Sequence, residues 1–87
     1  MTLNKTISAL ADPTRRKILE VLKEKDMAVG EIAKNFSITL PSLSHHLTVL
    51  KNADLVVSLK KGQENIYSLN LSAFEEAAKL LINFFQK

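Results

Sequence analysis

The sequence predicts a mainly α-helical domain carrying one small β-hairpin, and three observations predict it. Apolar residues recur at three- and four-residue spacing over several stretches. Two β-branched and apolar runs, Leu55 to Leu59 and Ile66 to Leu69, flank a polar segment, Lys60 to Asn65, that contains Gly62. Helix-start signals stand at Asp12-Pro13, Thr39 and Ser72. The 87 residues include no cysteine and lack any long Pro-, Gly- or Ser-rich linker. A single domain over 1–87 is therefore expected, near the lower limit of what one core can stabilise. With no disulfide to compensate, association into a dimer is the expected way to bury more surface.

The elements follow in order. Leu3, Ile7 and Leu10 form one apolar stripe, which predicts a first helix over 3–11. Asp12 can accept from free amides while Pro13 suits the first helical position, so a second helix runs from there to about Lys25, burying Ile18, Leu19 and Leu22. A short third helix over 29–36 turns Ile32, Ala33 and Phe36 inward, with Ala28 where a capping Ser or Thr is usual. Ser37-Ile38-Thr39 makes a tight connection, and Thr39 caps a fourth helix that tolerates Pro41 in its first turn and ends near Asn52. The hairpin spans about 55–69. Ser72 and Glu75 stand at capping-box spacing and open a last helix over 72–86.

A short helix, a tight turn, a second helix and then a hairpin is the order of a winged helix-turn-helix, here with the helix-turn-helix over about 29–52, whose second helix fits the DNA major groove. At about 100° per residue, Leu43, Leu47 and Leu50 fall in one inward stripe of the fourth helix. Pro41, Ser44, His45, Thr48 and Asn52 then face outward. An ordinary solvent face is rich in Glu and Lys; this one holds hydroxyls, an imidazole and an amide, which can donate and accept at base edges, and no acid to repel phosphates. Ser42, Ser44, His45 and Thr48, with Pro41 beside them, are the expected groove residues. Lys60, Lys61 and Gln63 on the wing are expected to grip phosphates or the minor groove, and Arg15 or Lys51 to contact phosphates. His46 lies beside the leucine stripe, so a partly buried ring held by a local hydrogen bond is expected. No acid is placed to orient either imidazole, which argues against catalysis, and no cofactor is expected.

The balance of 12 Lys and Arg against 9 Asp and Glu, net +3, agrees with a nucleic-acid partner without requiring one. No stretch approaches a membrane span and the first residues lack a secretion pattern, so a cytoplasmic protein is expected. On the last helix Leu71, Phe74, Ala77, Ala78, Leu80, Leu81, Ile82, Phe84 and Phe85 cover more than half the circumference, while Glu75, Glu76, Lys79 and Asn83 make the polar arc. One small domain buries a stripe of roughly 100°. The excess predicts a second copy of the same helix, with Phe74, Ala78, Leu81, Ile82 and Phe85 in the interface and Leu3, Ile7 and Leu10 joining from the first helix.

Ala9 to Leu19 (Ala-Leu-Ala-Asp-Pro-Thr-Arg-Arg-Lys-Ile-Leu), Val29 to Ala33, Pro41 to Leu47 (Pro-Ser-Leu-Ser-His-His-Leu), and Lys61-Gly62-Gln63 with Tyr67-Ser68-Leu69 together resemble ArsR-type bacterial repressors over nearly the whole chain. The resemblance implies a homodimer that binds a palindromic operator, often that of its own operon, as a double-stranded DNA-binding repressor. Many such repressors respond to metal. The arsenic and cadmium sensors carry cysteines before the recognition helix, where this chain resembles them with Ala28, Gly30 and Ala33; the zinc and nickel sensors use Asp and His on the last helix, which here offers Glu75 and Glu76 and no histidine. The chain is most similar to the cysteine-free, SdpR-type autorepressors of that family. Relief of repression then falls to a sequestering protein, a changing protein level or a small ligand at the dimer interface.

Overall fold

The computed structural model describes residues 3–86. In chain order it contains α1 (Leu3–Leu10), α2 (Pro13–Glu24), β1 (Met27–Ala28), α3 (Val29–Ala33), α4 (Leu40–Asn52), β2 (Val56–Lys61), β3 (Glu64–Leu69) and α5 (Leu71–Phe85). The strands form one antiparallel sheet in the order β1-β3-β2. Ile18, Leu19 and Leu22 from α2, Ile32 from α3, Leu43, Leu47 and Leu50 from α4, and Leu55 and Val56 at the hairpin base meet in one core with Ala9 and Ala73.

Local chemistry sets the helix boundaries. Asp12 Oδ2 accepts from the Arg15 amide at 3.0 Å and Pro13 follows in the first turn of α2, as expected. That amide, the largest influence on it, holds the Asp12 carboxyl below its ordinary aspartate value. The cap therefore acts fully above that ordinary value and weakens only as pH falls through the lower, folded one. Thr39 Oγ1 accepts from the Ser42 amide at 3.2 Å, and α4 begins as expected. At α3 the alanine cap is replaced in function by Glu31, whose carboxylate accepts from the Ala28 amide at 3.4 Å and pairs with Lys25 Nζ at 3.2 Å.

Three boundaries differ from expectation. The third helix stops at Ala33 instead of Phe36, because the amides of Lys34, Asn35 and Phe36 bond three residues back, to Glu31, Ile32 and Ala33, and tighten the chain out of the α form. Phe36 still packs on the core. The last helix starts at Leu71 under an Asn70 cap, not at a Ser72–Glu75 box: Asn70 Oδ1 accepts from the Ala73 amide at 3.4 Å while its Nδ2 donates to the Asp54 carbonyl at 2.9 Å. One side chain thus caps α5 and ties it to the end of α4. The strands of the hairpin run on through Lys61 and resume at Glu64, which leaves a two-residue turn, Gly62-Gln63, in place of a longer polar loop. Gly62 takes φ +61°, the conformation a type II′ hairpin requires at its first central residue.

Strand β1, opposite Tyr67 and Ile66, is an addition: two residues are too few for any alternation to register. The end of α4 is a Schellman motif, in which the Leu55 amide reaches the Leu50 carbonyl at 3.0 Å and the Asp54 amide the Lys51 carbonyl at 3.0 Å. Leu50 and Leu55, both fully buried, supply its apolar contact. Asp54 occupies the left-handed position at φ +61°. Its replacement by Gly is expected to stabilise by about 0.5–1 kcal/mol, or roughly 2–8 °C in Tm; a thermal melt showing no rise would mean that the Asp54 side chain itself holds the turn.

Candidate nucleic-acid interface

The fourth helix positions the candidate site. Its three leucines, Leu43, Leu47 and Leu50, are buried, which fixes the rotation of the helix and leaves Pro41, Ser44, His45, Thr48, Lys51 and Asn52 exposed and Ser42 half-buried. The exposed set contains no acid. Two apolar side chains not expected on this surface, Ile38 and Leu40, stand in the open at its N-terminal end.

The helix is held from below by a network that periodicity does not show. His46 is turned toward the body of the domain, its side chain 16% exposed, with Nδ1 3.2 Å from Arg15 Nη1 and 4.0 Å from Asp12 Oδ2. The expected partial burial is there, but the partner is tertiary, from α2, and not local. A guanidinium has donors only, so His46 Nδ1 accepts and a neutral ring carries its proton on Nε2. Arg15 Nε donates to the Ala9 carbonyl at 2.8 Å and Nη2 to the Ser8 carbonyl at 3.1 Å. Arg15, expected at a phosphate, here joins the end of α1 to α4. Its neighbour Arg16 donates to the Leu10 carbonyl at 2.7 Å. Lys17 closes the turn between the two helices of the motif, with Nζ donating to the Asn35 carbonyl at 2.9 Å and lying 4.9 Å from the centre of the Phe36 ring. The end of α1, the turn after α3 and His46 of α4 give these cations partners far away in sequence, which is why sequence spacing alone does not assign them.

On the wing, Lys60, Lys61 and Gln63 are all exposed. Lys61 stands opposite Glu64 and Lys60 opposite Asn65, so successive lysines point to opposite faces of the hairpin. Gln63, Glu64 and Asn65 line a groove with Ala28, Val29 and Gly30, which places the wing tip beside the start of α3. Among the described residues no three His, Cys, Asp or Glu side chains come together as a metal site, and no helix is long and apolar enough to cross a membrane.

The family model for bacterial regulatory proteins of the arsR family matches residues 12–58, from the α2 cap into the wing. The chain belongs to that family. It is 45% identical over 85 residues to the transcriptional repressor SdpR of Bacillus subtilis, a match that covers 98% of this chain and 94% of the relative. Among solved structures it is similar to an ArsR-like transcriptional regulator from Rhodococcus sp. RHA1, with a TM-score of 0.87 and 28% identity over 94% of this chain and 77% of that one. It is also similar to the homodimeric winged helix-turn-helix DNA-binding domain of Mb0332 from Mycobacterium bovis, with a TM-score of 0.77 and 26% identity over 91% of this chain and 74% of that one. These relatives are regulators, in agreement with the non-enzymatic reading of the sequence. The fold of this ArsR-family chain is accordingly a winged helix-turn-helix: α3 and α4 form the motif, and β2 and β3 form the wing.

The apolar faces expected at an interface are placed as follows. Ile7, Ala78, Leu81, Ile82 and Phe85 are exposed, whereas Leu10 and Phe74 pack partly on the core and Leu3 is half-buried. Leu10 and Phe74 line one groove of about 380 Å³ with Leu19, Leu69 and Leu71, so the apolar surfaces of α1 and α5 run into each other.

Proposed function

We propose that this ArsR-family chain is a metal-independent autorepressor that binds a palindromic operator as a dimer and blocks its own promoter. The observation that carries the reading is the exposed, acid-free face of α4, on which Ser44, His45 and Thr48 stand with Pro41 and, at its edge, Ser42, in position for base edges. Lys51 on α4 and Lys60, Lys61 and Gln63 on the wing serve phosphates, while Arg15 orients α4 instead of touching DNA. Two copies pair through α1 and α5 and set their recognition helices about 34 Å apart, one turn of DNA. The dimer is supported by the homodimeric state of the Mycobacterium bovis relative and by an α5 that is apolar well beyond what its own domain covers. The repressor role is supported by the match to SdpR along almost the whole chain. Metal independence is supported by the donor set: the sequence has no cysteine, and its two histidines are adjacent on α4, one of them bonded to Arg15. The setting is the bacterial cytoplasm, where the operator is.

Fluorescence anisotropy of the purified chain with the DNA upstream of its own gene and with a scrambled fragment, over a salt series with and without chelator, tests the reading. The upstream fragment is expected to bind more tightly, unchanged by chelator. Three lysines per subunit contacting phosphates give a slope of log K against log salt of about −5 for the dimer. Equal weak binding to both fragments overturns autorepression.

A further inference from the structure

Leu40 opens α4 with 59% of its surface exposed. It takes no part in the core, which α4 reaches through Leu43, Leu47 and Leu50. Helix stability does not ask for leucine there either, since the first turn favours small polar or acidic side chains that meet free amides. Leu40, Ser44 and Thr48 stand at i, i+4 and i+8, a single row along the exposed side of the helix, and all three are open to solvent. Leu40 is the N-terminal member of that row, and the N-terminal residues of a recognition helix are the ones that approach base edges. An aliphatic side chain offers a base edge no hydrogen bond. The apolar feature a major groove presents to it is the C5 methyl of thymine.

From this juxtaposition we infer that Leu40 is a specificity-determining residue that selects a thymine in each half-site by contact with its methyl group, while Ser44, one turn further along, serves the neighbouring base edge. The inference rests on the DNA-binding reading above and adds a base preference that hydroxyls and imidazoles do not define.

The test starts from a binding site selected by the full chain from a random double-stranded DNA library. Each thymine of that site is then replaced in turn by deoxyuridine, which keeps the pairing and removes only the methyl, and affinity is measured by anisotropy for the wild type, Leu40→Ala and Leu40→Met. At one thymine per half-site the replacement is expected to weaken the wild type about fourfold, the worth of one buried methyl group. Leu40→Ala, which removes the contact from both half-sites of the dimer, is expected to bind the unmodified site about sixteenfold less tightly and to be indifferent to the replacement. Leu40→Met keeps an apolar reach and is expected to keep the sensitivity, which also guards against a misfolded alanine variant. The inference is overturned if the half-sites contain no thymine, or if deoxyuridine shifts wild type and Leu40→Ala alike at every position. Failure to select any site, with no salt-dependent DNA affinity, would remove the DNA-binding reading itself and this inference with it.

Discussion

Leu81→Glu is expected to turn the dimer into a monomer and to lower operator affinity at least about a hundredfold. Phe74, Ala78, Leu81 and Phe85 follow one another at spacings of four, three and four residues, the repeat with which helices pack along a shared seam. The helix has two apolar sides. Ala73 and Ala77 are buried against its own domain, whereas Leu81 is 44% and Phe85 82% exposed in the single subunit. A glutamate at Leu81 would place two carboxylates in the middle of the proposed seam, where an uncompensated buried charge costs about 3–5 kcal/mol. Without the seam each recognition helix binds its half-site alone and loses the contacts made by the other. Sedimentation equilibrium and operator titration check the two parts together. A variant that stays dimeric with unchanged affinity would place the interface elsewhere. Because position 81 is well exposed within its own subunit, far-UV circular dichroism is expected to show the helices retained.

The elements most legible in the sequence are those whose pattern is long and whose caps are side chains. The buried stripes of α2 and α4, the Asp12 and Thr39 caps, and the hairpin itself all follow from spacing and residue type, because each is decided by contacts within a few residues. The same holds for the outward face of α4, since three buried leucines leave the helix only one rotation. What does not read from the sequence depends on distant partners. Strand β1 exists because Met27 and Ala28 find Tyr67 and Ile66, some forty residues on. The start of α5 is moved back by Asn70, which can cap the helix and hold the Asp54 carbonyl at once, an arrangement that defeats the equally good local signal at Ser72. Arg15 shows the limit most clearly: a basic residue beside a DNA-binding motif suggests a phosphate, and only the fold reveals the two carbonyls and the imidazole that it holds.

Arg15→Ala is expected to cost about 2 kcal/mol of stability and to lower Tm by roughly 10 °C. The variant leaves the Ala9 and Ser8 carbonyls at the end of α1 without their charged donor and leaves His46 Nδ1 without its partner; the Ala9 and His46 bonds are half-buried and the Ser8 bond is exposed. Solvent reaches the outer Nη2 bond, which keeps the estimate below the full value of three charge-assisted bonds. A double-mutant cycle with His46→Ala isolates the Arg15–His46 bond, for which a coupling of about 1 kcal/mol is expected. Operator binding then separates the two roles open to this residue. A phosphate contact would, when removed, make the salt slope shallower by about one unit per subunit and leave Tm nearly unchanged. A strut between α1 and α4 gives the opposite pattern. Tm falls and the slope is kept, while affinity drops for the specific site more than for scrambled DNA, since α4 carries the base contacts and α1 belongs to the proposed dimer face. Arg15→Lys sharpens the distinction: its single ammonium retains the charge but cannot span two carbonyls and an imidazole, so it is expected to preserve the salt slope and recover little of the lost stability.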